Sequence, residues 1–343
     1  MNFGTRPLLA ASPPVHAMDL LVVDALEAEV VEWLAQRHSI RHAPELANAP
    51  RDFKRSLYNV RATIIPASLT IDAETLEFAP VLKAIGRVSA GAENIDLAAC
   101  DQRQIEIVRS QTATARAEAE FTINAALSLL RRVPVRNPDG SLAGRELGGA
   151  TIGLVGMSPT ARSIAQMLAG FGAHIVGYDP ALHASDSVWP LWKVAPVGLR
   201  ELFERADVVC VQLASFSRYQ GLLGDRFLPH GKPNQVLVST APSGLFDETA
   251  LAAALKSGRI AAAWFDSLEP GALDPHRPLH NIPTVQVTPR VAAATREARQ
   301  RSAWAVARRL DELLEFVPKS ASELSETTIP GGLVDLEAAT WSN

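Results

Sequence analysis

The chain has 343 residues, of which 47% are hydrophobic, and a formal net charge of -4 at pH 7. This length accommodates two domains with sizeable cores. The balanced charge, without a basic patch or tail, gives no support for nucleic-acid or anionic-membrane binding. No apolar run approaches the roughly 18 residues of a membrane helix, and the first 25 residues lack the apolar core of a signal peptide. We therefore expect a cytoplasmic protein.

The first half of the chain alternates apolar runs with segments of helical spacing. An amphipathic helix is predicted over residues 27–38, and a helix rich in Ala and Leu over 116–132. Buried strands are predicted at residues 19–25, 62–67, 82–89 and 105–108. Strands separated by helices and loops of this length indicate a parallel sheet.

A second alternation follows the helix at 116–132, after a Pro- and Gly-containing loop over residues 137–149. A long helix is predicted at 296–316, after the last strand of this alternation. The polar segment from about residue 320 is expected to be a loosely held surface segment. Six strands are predicted at residues 151–155, 174–179, 206–213, 235–240, 261–266 and 285–289. This pattern is typical of a doubly wound, nucleotide-binding α/β domain.

The cysteines, Cys100 and Cys210, are far apart in the sequence. Cys210 lies inside the apolar run "ADVVCVQLA" and is expected to be a small buried hydrophobic residue. Two distant cysteines do not resemble a secreted disulfide scaffold, and no C-x-x-C pair is present. We expect neither a disulfide nor a metal site.

The run "IGLVGMSPTAR" places a glycine-rich-loop pattern directly after the strand at 151–155, but only one of its three glycine positions holds glycine. Gly156 suits the tight turn, and Ala161 suits the third position, where helix and strand pack closely. Ser158 departs from the pattern because its Cβ stands where a phosphate approaches, and Pro159 removes an N–H donor. The pattern predicts a weakened dinucleotide site, with a plain strand–helix turn as the alternative.

Asp179 ends the next strand, about 20 residues further on, where an acidic side chain binds the ribose hydroxyls of NAD. A carboxylate at this place disfavours the additional phosphate of NADP. The sequence therefore predicts NAD as the cofactor, with reduced affinity because of Ser158 and Pro159.

Four longer segments resemble the D-isomer-specific 2-hydroxyacid dehydrogenase family, and the resemblance extends from about Asp19 to Phe316. They are "RVSAGAENIDLAAC", "TARAEAEFTINAALSLLRR", "VLVSTAPSGLFDETALAAALKSGRIAAAWFDSLEP" and "VQVTPRVAAATREA". The resemblance implies two Rossmann- or flavodoxin-like α/β domains with doubly wound parallel sheets, the cofactor domain being inserted into the substrate domain. It also implies NAD and a small-molecule ligand in the interdomain cleft, and a homodimer.

On this resemblance the substrate domain comprises residues 1–114 and 297–343, and the NAD-binding domain residues 115–296. The expected cofactor residues are Gly156, Ser158, Pro159, Thr160, Ala161, Tyr178, Asp179, Thr240, Ala241, Pro242 and Asp266.

The family's reaction needs an arginine for the substrate, a histidine as acid or base, and a glutamate that orients the histidine. The resemblance aligns these three positions with Pro242, Arg290 and Gly271. Asp266 is retained where the family has an aspartate near the nicotinamide. Arginine remains charged at neutral pH and cannot replace a histidine in proton transfer. Ordinary dehydrogenase activity is therefore expected to be nearly lost.

Three hypotheses remain open at this point. The chain is a pseudoenzyme or ligand sensor that retains nucleotide binding, or an oxidoreductase for an unusual substrate with a site rebuilt from Arg290, Asp266 and Glu269. A non-redox enzyme, such as a lyase, is the third. Arg290 could equally form an ion pair with Asp266 or Glu269, while His276 and His280 are expected in a solvated loop.

Overall fold

The computed structural model describes residues 18–89, 91–214 and 216–315. The polar segment predicted to be loosely held at the C-terminus lies outside these residues. The described chain divides into two compact units, residues 18–109 with 303–315 (unit 1) and residues 110–302 (unit 2). Among the described residues, no helix combines the length and apolar character needed to cross a membrane.

Unit 1 is built on a five-stranded sheet in the order β2-β1-β3-β4-β5, in which every neighbouring pair is parallel. Its strands are β1 (Met18–Val22), β2 (Ile40–His42), β3 (Val60–Ile64), β4 (Ala84–Gly86) and β5 (Glu106–Val108). Its first helices are α1 (Ala28–Ala35), α2 (Pro50–Ser56), α3 (Ala73–Glu77) and α4 (Leu97–Gln102), with a 3-10 helix at Pro44–Asn48.

Unit 2 contains a seven-stranded sheet, again parallel throughout, in the order β10-β9-β8-β11-β12-β13-β14. Its strands are β8 (Thr151–Val155), β9 (His174–Tyr178), β10 (Ala195–Pro196), β11 (Val208–Val211), β12 (Gln235–Ser239), β13 (Ile260–Phe265) and β14 (Val285–Val287). A separate antiparallel hairpin joins β6 (Val135–Arg136) and β7 (Leu142–Ala143).

The helices that follow in the chain are α5 (Gln111–Arg132), α6 (Pro159–Leu168), α7 (Val188–Leu191), α8 (Leu199–Arg205), α9 (Glu248–Lys256) and α10 (Arg296–Glu315). Short 3-10 helices occur at Ala169–Phe171, Ser217–Tyr219, Leu228–His230 and Ser243–Leu245. The boundary between the two units at residues 302 and 303 falls within α10.

Both faces of the unit 2 sheet are buried, which explains the continuous apolar runs in the sequence. Along β11, Val208 and Cys210 pack in one cluster with α5 and α6, whereas Val209 and Val211 pack in another with α8 and α9. Because successive side chains of a strand point to opposite faces, helices on both sides are required. The predicted doubly wound parallel α/β architecture is confirmed.

The sequence missed two edge strands, β2 and β10. Both are only two or three residues long, and the residues of each are exposed or half-buried. Such strands have no buried face, so they lack the apolar pattern by which strands are recognised. The parallel sheet of unit 2 therefore has seven strands where the sequence predicted six. The segment predicted to be a loop at 137–149 contains the short strand β7.

The two thiols give a test of this core. Cys100 and Cys210 are free and only 1% exposed. Burial raises the pKa of the Cys100 thiol to about 11 and that of Cys210 to about 12. Because the thiolate is the nucleophile, we expect both to resist iodoacetamide at pH 8 in the native chain and to react at once in urea. Rapid alkylation of the native chain, measured by mass spectrometry, would contradict this placement.

Candidate functional site

The turn after β8 can be made only by glycine. Gly156 has a φ of +94°, and a Cβ added there would lie 2.7 Å from the Cα of Leu213. The Gly156 N–H donates to the carbonyl of Tyr178 at 2.7 Å, which ties the turn to the end of β9. A positive φ and a close backbone approach both exclude a side chain. This finding gives the physical reason for the first glycine of the predicted loop.

The start of α6 is capped from within the chain. The Ser158 hydroxyl accepts from the N–H of Ala161 at 3.2 Å, and Pro159 occupies the first helical position without an N–H. Ala161 is fully buried, in keeping with the close packing expected at the third position. Part of the donor set with which a helix start binds an anion is therefore missing or already used.

Asp179 holds the same loop from the end of β9. One carboxylate oxygen accepts from the N–H of Met157 and the other from the N–H of Ala181, both at 2.8 Å. A carboxylate has about four acceptor positions, so each oxygen retains capacity for a ribose hydroxyl. Burial, with Tyr219 and Asp179 nearby, raises the pKa of the Tyr178 phenol, which stays neutral at physiological pH.

A side chain that the sequence did not indicate also reaches this loop. The Thr160 hydroxyl, 5% exposed at the residue level, donates to Oε2 of Glu118 on α5 at 2.7 Å. Thr160 was expected among the cofactor residues, but its hydroxyl is engaged within the protein. The partners are 42 positions apart, and no local spacing connects them, so only the packing of α5 on α6 brings them together.

Beyond β12, Thr240 turns its hydroxyl towards the protein interior. It donates to Oε1 of Gln212 at 2.7 Å, and the Gln212 amide donates to Thr122 on α5 at 3.3 Å. Ala241 is buried, whereas Pro242 is exposed and starts the turn at Ser243–Leu245. At the place that the family resemblance assigned to an arginine, the structure thus presents a surface proline without a charge or a donor.

Asp266 follows β13 and organises the loop after β14. Its Oδ1 accepts from the Thr288 hydroxyl at 2.8 Å and from the Val291 N–H at 2.9 Å, and its Oδ2 accepts from the Ala292 N–H at 3.0 Å. The residue is 6% exposed. Three donors from one loop use most of the acceptor positions of a carboxylate. The geometry therefore gives Asp266 a structural function that the sequence did not predict.

Arg290 is exposed on the loop that Asp266 holds. Its backbone has a φ of +56°, and its N–H donates to the carbonyl of Asp266 at 2.7 Å. Its Nε donates to the hydroxyl of Ser267 at 3.1 Å. The backbone contact of Arg290 with Asp266, and the hydrogen bonds that the Asp266 oxygens accept from the loop, together fix the Arg290 segment to the end of β13.

The segment that holds Glu269 and Gly271 forms an exposed turn. Gly271 has a φ of +78°, a conformation that L side chains rarely adopt. The Glu269 N–H donates to the Ser243 hydroxyl at 3.0 Å, and its side chain lines a cavity of about 170 Å³ together with Arg277. His276 and His280 lie in the following turns, in the stretch expected to be a solvated loop.

These segments lie at one edge of the unit 2 sheet. The loops after β8, β9, β12, β13 and β14 all leave the carboxyl ends of parallel strands. In open α/β sheets, ligands bind outside these ends. The structure thus collects the predicted cofactor residues along a common edge, and it adds Glu118 and Gln212 behind them.

The function of Asp266 can be tested by Asp266→Asn. An amide at this place turns a donor towards loop N–H groups, so unfolding should become easier by about 2–3 kcal/mol. Urea denaturation measures this change, and hydrogen exchange should show faster exchange of the Val291 and Ala292 amides. Asp225→Asn, at an exposed position, serves as the control. An Asp266→Asn variant as stable as the parent chain would refute the loop-holding function.

Known proteins resemble this chain both in sequence and in fold. The family model described as D-isomer specific 2-hydroxyacid dehydrogenase, NAD binding domain, matches residues 124–292. D-3-phosphoglycerate dehydrogenase of Mycobacterium tuberculosis (strain ATCC 25618 / H37Rv) is 32% identical over 292 residues, which cover 82% of this chain and 53% of that protein. The chain thus spans about half the length of this relative.

A second relative is matched over most of its length. Glyoxylate reductase of Thermofilum pendens (strain DSM 2475 / Hrk 5) is 33% identical over 261 residues, which cover 71% of this chain and 76% of that protein. The crystal structure of the TT0316 protein from Thermus thermophilus aligns with a TM-score of 0.69 and 26% identity, covering 87% of this chain and 97% of that chain. Since the NAD-binding domain model matches within unit 2 and a relative one-third identical is covered over three quarters of its length, the chain belongs to the D-isomer-specific 2-hydroxyacid dehydrogenase family.

Proposed function

We propose that the chain binds NAD(H) at the carboxyl edge of the unit 2 sheet. The observation that carries this proposal is the Gly156 turn, held against Asp179 through the Met157 N–H. A turn of this kind brings backbone close to a pyrophosphate, and an acid beside it binds ribose hydroxyls. The match of the NAD-binding domain model to residues 124–292 supports the same assignment. The Asp179 carboxylate favours NAD over NADP.

We propose further that ordinary 2-hydroxyacid oxidation is nearly absent. Proton transfer near pH 7 needs a group that titrates there, and an arginine side chain is not such a group. Pro242 supplies neither the cation nor the paired donors that hold a carboxylate. Gly271 lies in a left-handed turn in which a glutamate would be strained. Loss of a positioned acid or base alone costs roughly 10²–10⁴-fold in rate.

A rebuilt oxidoreductase site is the second candidate, and the backbone geometry of Arg290 supports a functional site at this place. A non-glycine residue with a φ of +56° stores strain, and such residues concentrate at functional sites. The guanidinium lies on the loop after β14, at the sheet edge that holds the proposed cofactor. A fixed cation there would bind the carboxylate of a small 2-oxo acid. Glu269 belongs to this hypothesis as a weaker candidate.

The wider predictions from the family resemblance are part of the same proposal. They comprise the homodimer and the division of the chain into a substrate domain (1–114 with 297–343) and a cofactor domain (115–296). The cytoplasmic location expected from the sequence is proposed with them. The ligand class is a small carboxylate, as the names of the glyoxylate and phosphoglycerate enzymes among the relatives suggest.

Binding can be tested by titrating the chain with NADH and NADPH in a calorimeter. We expect NADH to bind more tightly than NADPH. Gly156→Ala should weaken NADH binding at least tenfold, because the added Cβ meets the backbone of Leu213. Gly170→Ala is the matched control, since nothing lies within 4 Å of a Cβ at that position. The absence of a heat signal from a folded chain at millimolar NADH would refute the binding proposal.

Activity separates the pseudoenzyme from the rebuilt enzyme. With glyoxylate or another small 2-oxo acid, we expect NADH oxidation at least a hundredfold below the roughly 10 s⁻¹ of a median enzyme. A robust rate that Arg290→Ala abolishes, while the exposed control Arg296→Ala retains it, would establish the second candidate instead. A robust rate unaffected by Arg290→Ala would rule out both.

A further inference from the structure

Glu118 places a carboxylate at the start of the helix that follows the glycine turn. It lies on α5, is half-buried, and accepts from the Thr160 hydroxyl at 2.7 Å. Thr160 occupies the second position of α6, within the first turn of the helix. The positive end of a helix dipole acts over this first turn. The Glu118 carboxylate therefore lies beside the first turn of α6, the part of a helix that attracts an anionic ligand.

Two further features reduce the attraction of this helix start for phosphate. The Ser158 hydroxyl already accepts from the Ala161 N–H, and the Pro159 nitrogen carries no hydrogen. A pyrophosphate that binds to a helix start relies on free backbone N–H groups and on the dipole. Here the donors are reduced by Ser158 and Pro159, and the Glu118 carboxylate lies against the first turn of the helix through its contact with the Thr160 hydroxyl.

Two other charged residues, Asp179 and Arg162, contact the same loop. Asp179 is a second carboxylate at this loop, and it accepts from the N–H of Met157. Arg162 donates from Nε to the carbonyl of Met157 at 3.1 Å. Asp179 has a function towards the ribose of a nucleotide, whereas Glu118 touches the helix start itself. A like charge at a half-buried place opposes an incoming anion more than one in open solvent.

We infer that Glu118 is a specificity-determining residue of the dinucleotide site, which selectively lowers the affinity for ligands that carry a pyrophosphate. This inference rests on the proposed binding of NAD(H). It assigns the weakness of the site to a charge as well as to the missing glycine. The loss of affinity results from repulsion between Glu118 and the charge of the ligand, so the affinity for an uncharged nucleoside is not lowered.

Glu118→Gln tests this inference because glutamine keeps an oxygen that accepts from Thr160 while the charge is removed. We expect NADH affinity to rise about five- to tenfold in low salt, as repulsion between partly screened charges is relieved. The gain should shrink at 0.5 M NaCl, and the affinity for adenosine should stay within twofold. Calorimetry gives the NADH affinity, and displacement of NADH gives that of adenosine.

Glu120→Gln is the matched control. Glu120 lies on the same helix, but its side chain is 58% exposed and pairs with Arg116. Its replacement should leave NADH affinity unchanged. A merely structural role of Glu118 would change the melting temperature without changing the ratio of NADH to adenosine affinity.

The outcomes separate this inference from the proposed function. If the parent chain binds NADH and Glu118→Gln binds it no more tightly, the inference fails and the proposed function stands. If only Glu118→Gln binds NADH, the inference holds and the proposed function of the parent chain fails. If neither folded protein binds NADH, both fail. An equal gain for NADH and adenosine would also overturn the assignment to charge.

Discussion

Two carboxylates at the edge of the unit 2 sheet position the loops on which the candidate site depends. Asp179 accepts from the Met157 N–H beside the glycine turn and from the Ala181 N–H of its own loop. Asp266 accepts from two N–H groups and the Thr288 hydroxyl of the loop after β14. Hydrogen bonds to charged acceptors are stronger than those between neutral groups. Loops that are otherwise irregular are thereby fixed to the ends of buried strands, and this geometry does not depend on the proposed catalytic residues Arg290 and Glu269.

The family's fold and the proposed loss of its ordinary reaction depend on different residues of the chain. Fold stability depends on buried sheet faces and on loop anchors such as Asp266, whereas Pro242, Gly271 and Arg290 are exposed. Exposed side chains contribute little to the buried cores, so the identity of these side chains affects the site more than it affects the fold. Similarity in fold therefore does not fix the reaction, which must be argued from the residues at the site.

The sequence predicted most of the fold because buried parallel strands such as β8 and β11 are continuous apolar runs. It missed β2 and β10, which lie at sheet edges and have few buried residues. At the site, Gly156 was predictable because it stands in a recognisable loop pattern directly after β8. Folding brings together the segments that form the contact between Glu118 and Thr160 and the three hydrogen bonds to Asp266. No spacing in the sequence predicts these contacts.

The location of Glu118 shows why a loop pattern alone is an incomplete guide to nucleotide affinity. The pattern counts glycines because they allow a phosphate to approach the backbone, yet the free energy of that approach also depends on the potential at the helix start. Glu118 belongs to another helix, so its charge is absent from any pattern restricted to residues 156–161. A loop with the same six residues but a neutral side chain on α5 would present a different potential to a pyrophosphate. Affinity at this site is therefore a property of two packed helices, α5 and α6, and of the charge between them.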